Sequence, residues 1–244
     1  MATSKKRVVE INHQPVGLKC DNGDDKTALD GHRFSDDLRH RIIKFVVRGT
    51  EFYIHEDLLC RESEKFEKQL RGNFKEARTG EITDCEEDPV LMRVFFEYLY
   101  RDDWLLEENI TSPSLLVALA RLYCLADRLG ARSFQDSVFW KFAQMFRRAG
   151  LPENKEICEL LLLIHTELPE RKDNEYRLRK AVLWCAASQL SRLKTYSEFK
   201  DHILRDHPDL GCQILLWAGN SDVAILKTKK PAPRFKQEME FLLS

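Results

Sequence analysis

The stretch from Ile42 to Tyr100 constrains the fold of this chain more than any other. Ile42-Ile43-Lys44-Phe45-Val46-Val47 reads as a strand, with Ile43, Phe45 and Val47 on one face and Ile42, Lys44 and Val46 on the other. Arg48-Gly49-Thr50 follows as a tight turn, because glycine takes the backbone angles such a turn needs. Glu51-Phe52-Tyr53-Ile54 is a second strand, rich in aromatic and β-branched residues. The chain is therefore expected to start its folded part with a β-hairpin.

Helical signals come next. His55 to Cys60 reads as a short helix with Leu58 and Leu59 inward. Ser63 is a good N-cap for Glu64 to Leu70, since its hydroxyl accepts a free N–H of the first turn. Phe66 and Leu70 lie one turn apart on the inner side of that helix. Glu81-Ile82-Thr83 is a brief strand, and Asp88-Pro89 opens a helix bearing Val90, Leu91, Val94, Phe95, Tyr98 and Leu99. Ser112-Pro113 repeats that start signal for a helix with Leu115, Leu116, Leu119, Leu122, Tyr123 and Ala126, which Gly130 stops. Further helices are expected at Phe134 to Phe146, Ile157 to Ile164, Tyr176 to Leu193, Phe199 to Leu204 and Leu210 to Trp217.

The two ends read differently. Residues 1–37 are polar, with Asp21-Asn22-Gly23-Asp24-Asp25 at their centre, and carry too little apolar surface to offset ordering. They are expected to be disordered or a loosely docked arm, in which only Val8-Val9-Glu10-Ile11 could add an edge strand. Residues 227–244 form a basic, proline-broken and partly disordered tail ending in Met239-Glu240-Phe241-Leu242-Leu243.

Composition removes several functional classes. A net charge of -1 offers no overall attraction for nucleic acid or membrane. The longest apolar run, Leu160 to Ile164, is too short to span a bilayer. The N-terminal residues lack the apolar core of a signal peptide, so the expected location is intracellular, in the cytoplasm and/or nucleus. The seven cysteines are scattered without a C-x-x-C pair, which speaks against a disulfide framework and a paired-thiolate zinc site.

Candidate chemistry dissolves on inspection of each motif. His55 lies at a strand-to-helix junction and reads as a structural, hydrogen-bonded histidine. A thiol enzyme using Cys60 with His55 is the alternative from another class. His202 and His207 flank Asp206, with Cys212 nearby, but a metal site needs more ligands at compatible spacing. Asp84, Glu86, Glu87 and Asp88 read as a helix cap and a solvated turn rather than an acid/base pair. The Phe and Leu stripes follow the helical period and need only core packing. No catalytic residue, cofactor site or metal site is therefore expected.

The ordered set Gly49, Phe52, His55, Leu58-Leu59, Ser63, Phe66, Phe74, Glu76, Ile82, Asp88-Pro89, Phe95, Tyr98 and Tyr100 resembles a BTB/POZ domain. Leu122-Tyr123-Cys124-Leu125-Ala126-Asp127-Arg128-Leu129-Gly130 is similar to that family's Tyr-x-Leu-Ala-Asp-x-x-Gly run. The likeness covers roughly residues 40–147, and the part beyond residue 150, from Tyr176-Arg177-Leu178-Arg179, resembles the helical tails of fungal single-BTB proteins. Ile42 stands where many members carry Asp, and Glu56 where Lys is usual; the resemblance implies that the charged pocket of the dimeric members is altered here.

The resemblance implies a helix-dominated α+β fold, a small sheet capped by helices and followed by an all-helical extension. The expected layout is an arm at 1–37, a BTB/POZ domain at 38–148, a helical extension at 149–226 and the tail at 227–244. It also implies a protein-interaction module that self-associates as a homodimer or recruits other proteins. Trp104-Leu105-Leu106-Glu107-Glu108-Asn109-Ile110 resembles the segment with which BTB adaptors of ubiquitin ligases dock a cullin, through a hydrophobic residue, a spacer and a Glu. Leu105, Leu106, Glu107, Glu108 and Tyr123 are the partner-binding residues this implies, and a regulatory or transcriptional scaffold without ligase role is the alternative.

Overall fold

The computed structural model describes residues 41–101, 103–104, 115–149, 152–168 and 176–218. The chain divides into two compact units between Met92 and Arg93.

The first unit is built on a three-stranded sheet in the order β2-β1-β3. β1 (Ile42–Val47) runs antiparallel to β2 (Thr50–His55) and parallel to β3 (Glu81–Asp84). The period-2 pattern decides which face is covered: Ile43, Phe45 and Val47 are buried, together with Phe52, Ile54 and Ile82. α1 (Glu56–Glu62), α2 (Glu64–Arg71) and α3 (Lys75–Thr79) follow the hairpin. Phe66 of α2 meets Phe45 of the sheet edge-on at 5.2 Å, an arrangement that aromatic quadrupoles favour. Ser63 caps α2 as expected, with Phe66 N–H donating to its hydroxyl at 3.2 Å.

Two arginines bracket β1. Arg48 and Gly49 both have positive φ, 45° and 84°, the geometry of a type I′ hairpin turn. For Arg48 that conformation costs about 1–2 kcal/mol. It is held by the Arg48 N–H on Asp84 O at 3.2 Å and by the guanidinium on the Cys85 and Glu86 carbonyls. At the other end Arg41 donates to the Ala77 and Arg78 carbonyls of α3, so each end of β1 is tied to the segment that delivers β3.

α4 (Pro89–Arg101) begins where Asp88 accepts Val90 N–H at 2.7 Å. The second unit continues with α5 (Leu115–Leu129), α6 (Arg132–Ala149), α7 (Asn154–Glu167), α8 (Arg177–Ser188) and α9 (Leu190–Leu193). A π-helical segment (Phe199–Arg205) and α10 (Pro208–Trp217) complete it. Gly130 ends α5 at φ +64°, as its position suggested. A relay of rings joins the helices: Phe134 meets Phe95 at 5.3 Å and Tyr98 at 5.0 Å, and Phe146 meets Trp184 at 6.3 Å. The fold is helix-dominated α+β with a small sheet and further helices after it.

Four local expectations need correction. His55 ends β2 rather than opening a helix, which starts at Glu56. Glu87 is buried rather than solvated, because Asp84 accepts the N–H groups of Glu86 and Glu87 and folds the acidic stretch into a turn. The helix expected from Tyr176 to Leu193 breaks at Gln189, where Ser188 donates back to Cys185 O and competes with the helical ladder. The stretch from Phe199 to Leu204 is wound as a π rather than an α helix.

Candidate interaction surface

The residues with chemical potential are occupied by structure. Cys60 is buried, and that burial pushes its thiol up to about 11, opposite to the lowered value of a working nucleophile. Cys158 rises to about 11 and Cys185 to about 12 for the same reason, and Cys124 further still. His202 faces Asp206 at 3.6 Å, while the ring of His207 lies 4.6 Å from that of His165. Among the described residues no group of three metal-ligating side chains converges.

The first unit presents two kinds of surface. On the open face of the sheet, Lys44 bridges Glu51 at 3.2 Å and Glu81 at 3.5 Å. The bond to Glu51 holds its ammonium above the ordinary lysine value. The Tyr53 hydroxyl donates to Glu51 at 3.2 Å, and Ile42 and Tyr53 are the exposed apolar residues of this face. Glu56, at the start of α1, pairs with Arg41 at 4.0 Å.

The second surface centres on Phe74, whose part the sequence pattern did not single out. Phe74 is 57% exposed, and its ring lies close to the chain. A Cβ on Gly72 would sit 3.0 Å from the Phe74 ring and 2.4 Å from Lys68 O, so only glycine lets the ring lie against the chain there. Gly72-Asn73 ahead of an aromatic was the available signal. Glu76, two residues on, is held below the usual carboxylate range, first by its own backbone N–H and then by Gln69.

In the second unit, Trp104 is an anchor. Its indole N–H donates to Ser137 Oγ at 3.2 Å, and the Lys141 ammonium stands 4.0 Å from the ring centroid while pairing with Asp103 at 2.9 Å. Leu105, Leu106, Glu107 and Glu108, which follow it, lie outside the described residues.

Tyr123 is placed in the core, not at a surface. It is 3% exposed, its ring meets Phe139 at 6.1 Å, and burial pushes its phenol up to about 12. The cause is the start of α8: Tyr176 donates to Asp127 at 3.1 Å, and Arg177 pairs with Asp136 and lies over Phe139 at 4.8 Å. Asp127 belongs to the same run as Tyr123, so α8 begins on the very stretch that carries it. Arg179 then donates to the Ile164 and Leu168 carbonyls at the end of α7 and to Gln213 of α10.

Residues 40–129 match the family model of the BTB/POZ domain. No curated protein matches the chain. This part of the chain is therefore similar to a BTB/POZ domain, a type of domain that mediates protein–protein interaction. Among the described residues no helix is long and apolar enough to cross a membrane.

Proposed function

We propose that the chain is a non-enzymatic protein-interaction module that recruits another protein, with its BTB/POZ domain at 38–148, a helical extension at 149–226, an arm at 1–37 and a tail at 227–244. The observation that carries this reading is Phe74, an aromatic ring lying against the backbone at Gly72 yet open to solvent. Rigid exposed aromatics are the anchors of protein interfaces, because they bring large apolar area with little entropy to lose. Ile42 in place of an acidic residue, and Glu56 tied to Arg41, favour recruitment of a different protein over a homodimer of the family's charged-pocket type.

The sharper form is a substrate adaptor of a cullin-based ubiquitin ligase, of the single-BTB type with a helical tail. Its support is the sequence Leu105-Leu106-Glu107-Glu108, directly after the Trp104 anchor. Co-purification with a cullin N-terminal domain tests it. The parent chain binds, while Leu106→Asp and Phe74→Ser lower recovery. A parent chain that retains no cullin sinks the ligase form and leaves a regulatory scaffold. Light scattering after size exclusion adds the oligomeric state: a strict monomer that retains no protein partner counts against both forms.

A further inference from the structure

A helix that is apolar all round is normally buried. α10, Pro208-Asp209-Leu210-Gly211-Cys212-Gln213-Ile214-Leu215-Leu216-Trp217, has Asp209 as its one charged residue, yet among the described residues only one side of it is covered. Leu210, Gly211 and Ile214 face inward, while Leu215 and Leu216 are 59% and 84% exposed. Leu204 of the π-helical segment, 41% exposed, extends this apolar face. Its Cδ2 lies 3.0 Å from where a Cβ on Gly211 would sit, so the bare backbone of Gly211 lets Leu204 lie against α10 one turn before Leu215. π-helical turns are rare and recur at functional sites.

Charge decides what fits this face. Asp209, Cys212 and Leu216 share one stripe, with the carboxylate about 10 Å before the exposed leucine. From Glu198 to Trp217 the chain sets Glu198, Asp201, Asp206 and Asp209 against Lys200 and Arg205. Asp201 engages Arg205 at 2.7 Å, whereas Asp206 and Asp209 face the imidazoles of His202 and His165 at 3.6 and 3.7 Å. Arg179 reaches α10 at Gln213, one turn beyond Asp209, and with it counted the carboxylates stand four to three against the cations. An acidic partner segment would meet like charge here, and a cationic one meets opposite charge beside an apolar ledge.

We infer that the outer face of α10, extended by Leu204, docks a cationic amphipathic helix of a partner protein. Its apolar side chains rest on Leu204, Leu215 and Leu216, and a lysine or arginine about two turns away meets Asp209. This site is independent of the BTB/POZ surface.

The full chain is titrated with two labelled model peptides of about 14 residues, a leucine–lysine amphipathic helix and its leucine–glutamate counterpart, and binding is followed by fluorescence polarisation. Leu216→Asp is the deciding variant. It adds a carboxylate, which strengthens attraction for the lysine peptide, so weaker binding can come only from lost apolar contact. The expected result is saturable binding of the lysine peptide, weakened about tenfold or more by Leu216→Asp and by Leu204→Ser, with none of the glutamate peptide. Equal binding of both peptides, or lysine-peptide binding unchanged in both variants, overturns the inference. So does binding that needs removal of residues 219–244, which means the face is covered in cis. Self-association of the parent chain that Leu216→Asp abolishes assigns the face to a second copy and overturns it too.

Discussion

Gly80→Ala asks whether the sheet of the first unit is tied together through Arg41. Gly80 sits at φ +69°, and a Cβ there would lie 2.7 Å from Arg41 Nη2 and 3.0 Å from its Nε. Two penalties follow. The left-handed backbone costs about 1–2 kcal/mol for any residue with a side chain. The guanidinium must also leave the Ala77 and Arg78 carbonyls; with its side chain 40% exposed, water recovers part of the loss and about 1 kcal/mol remains. The total is about 2–3 kcal/mol. Gly49→Ala is the control, because its φ of +84° is as strained but nothing lies within 4 Å of the added carbon; it should cost only the backbone share, about 1–2 kcal/mol. Urea denaturation of Gly80→Ala, Arg41→Met and the double variant reads the difference as a shift in midpoint at constant slope. With Arg41 already removed, Gly80→Ala should fall to the cost of Gly49→Ala. An identical cost in both backgrounds would refute the clamp.

Other expectations follow from the same geometry. A thiol reagent at mildly alkaline pH should modify the exposed Cys85 and Cys212 quickly and the buried Cys60, Cys124, Cys158 and Cys185 slowly, until denaturant equalises them; fast reaction at Cys60 in a Cys85→Ser/Cys212→Ser variant would revive the thiol-enzyme reading. Glu76 has a depressed folded pKa, so its contribution is fully present above the unfolded value of about 4.3 and is lost as pH falls through the folded value. Glu76→Gln should therefore flatten the acid limb of stability against pH, read as urea midpoints. Tyr176→Phe should cost about 1 kcal/mol through the lost bond to Asp127, and thermal melts of Tyr176→Phe and Asp127→Asn should be markedly non-additive in the double variant.

The hairpin, the Ser63 cap and the Asp88 start of α4 were legible because each depends on residues within a few positions of one another. Alternation in Ile42 to Val47 separated the two faces of the sheet, and helical periodicity placed Val94, Phe95, Tyr98 and Leu99 in the core, while Val90 and Leu115, read on the same stripes, are exposed and α5 is buried nearly all round. The arginines were not legible. Arg41, Arg48, Arg179 and Arg192 all donate to backbone carbonyls of distant segments, Arg192 to Pro152 O, and a carbonyl has no side-chain identity for a sequence pattern to read. Phe74 was legible only as one residue of the family-like set: that its ring stays open to solvent depends on the fold around it, which no local pattern encodes.

Tyr123 shows how the extension changes the meaning of the domain before it. Within the run from Leu122 to Gly130 it is one of several apolar residues at helical spacing, and nothing in that run says which side is covered. The cover comes from the Tyr176-Arg177-Leu178 segment, about fifty residues on by the sequence separation of Tyr176 and Asp127. Arg177 lies over Phe139, and Leu178 is fully buried. Arg128 reaches Glu167 of α7 from the same helix. The end of α5 is thus stitched to α7 and to the residue before α8 by two polar contacts that flank an apolar core. Removing the later helices would uncover Tyr123 and Phe139 together, adjoining apolar rings of the kind that monomeric proteins do not leave in water. The extension is therefore part of what makes α5 and α6 stable, and any partner that reads this protein must do so on residues the extension leaves free.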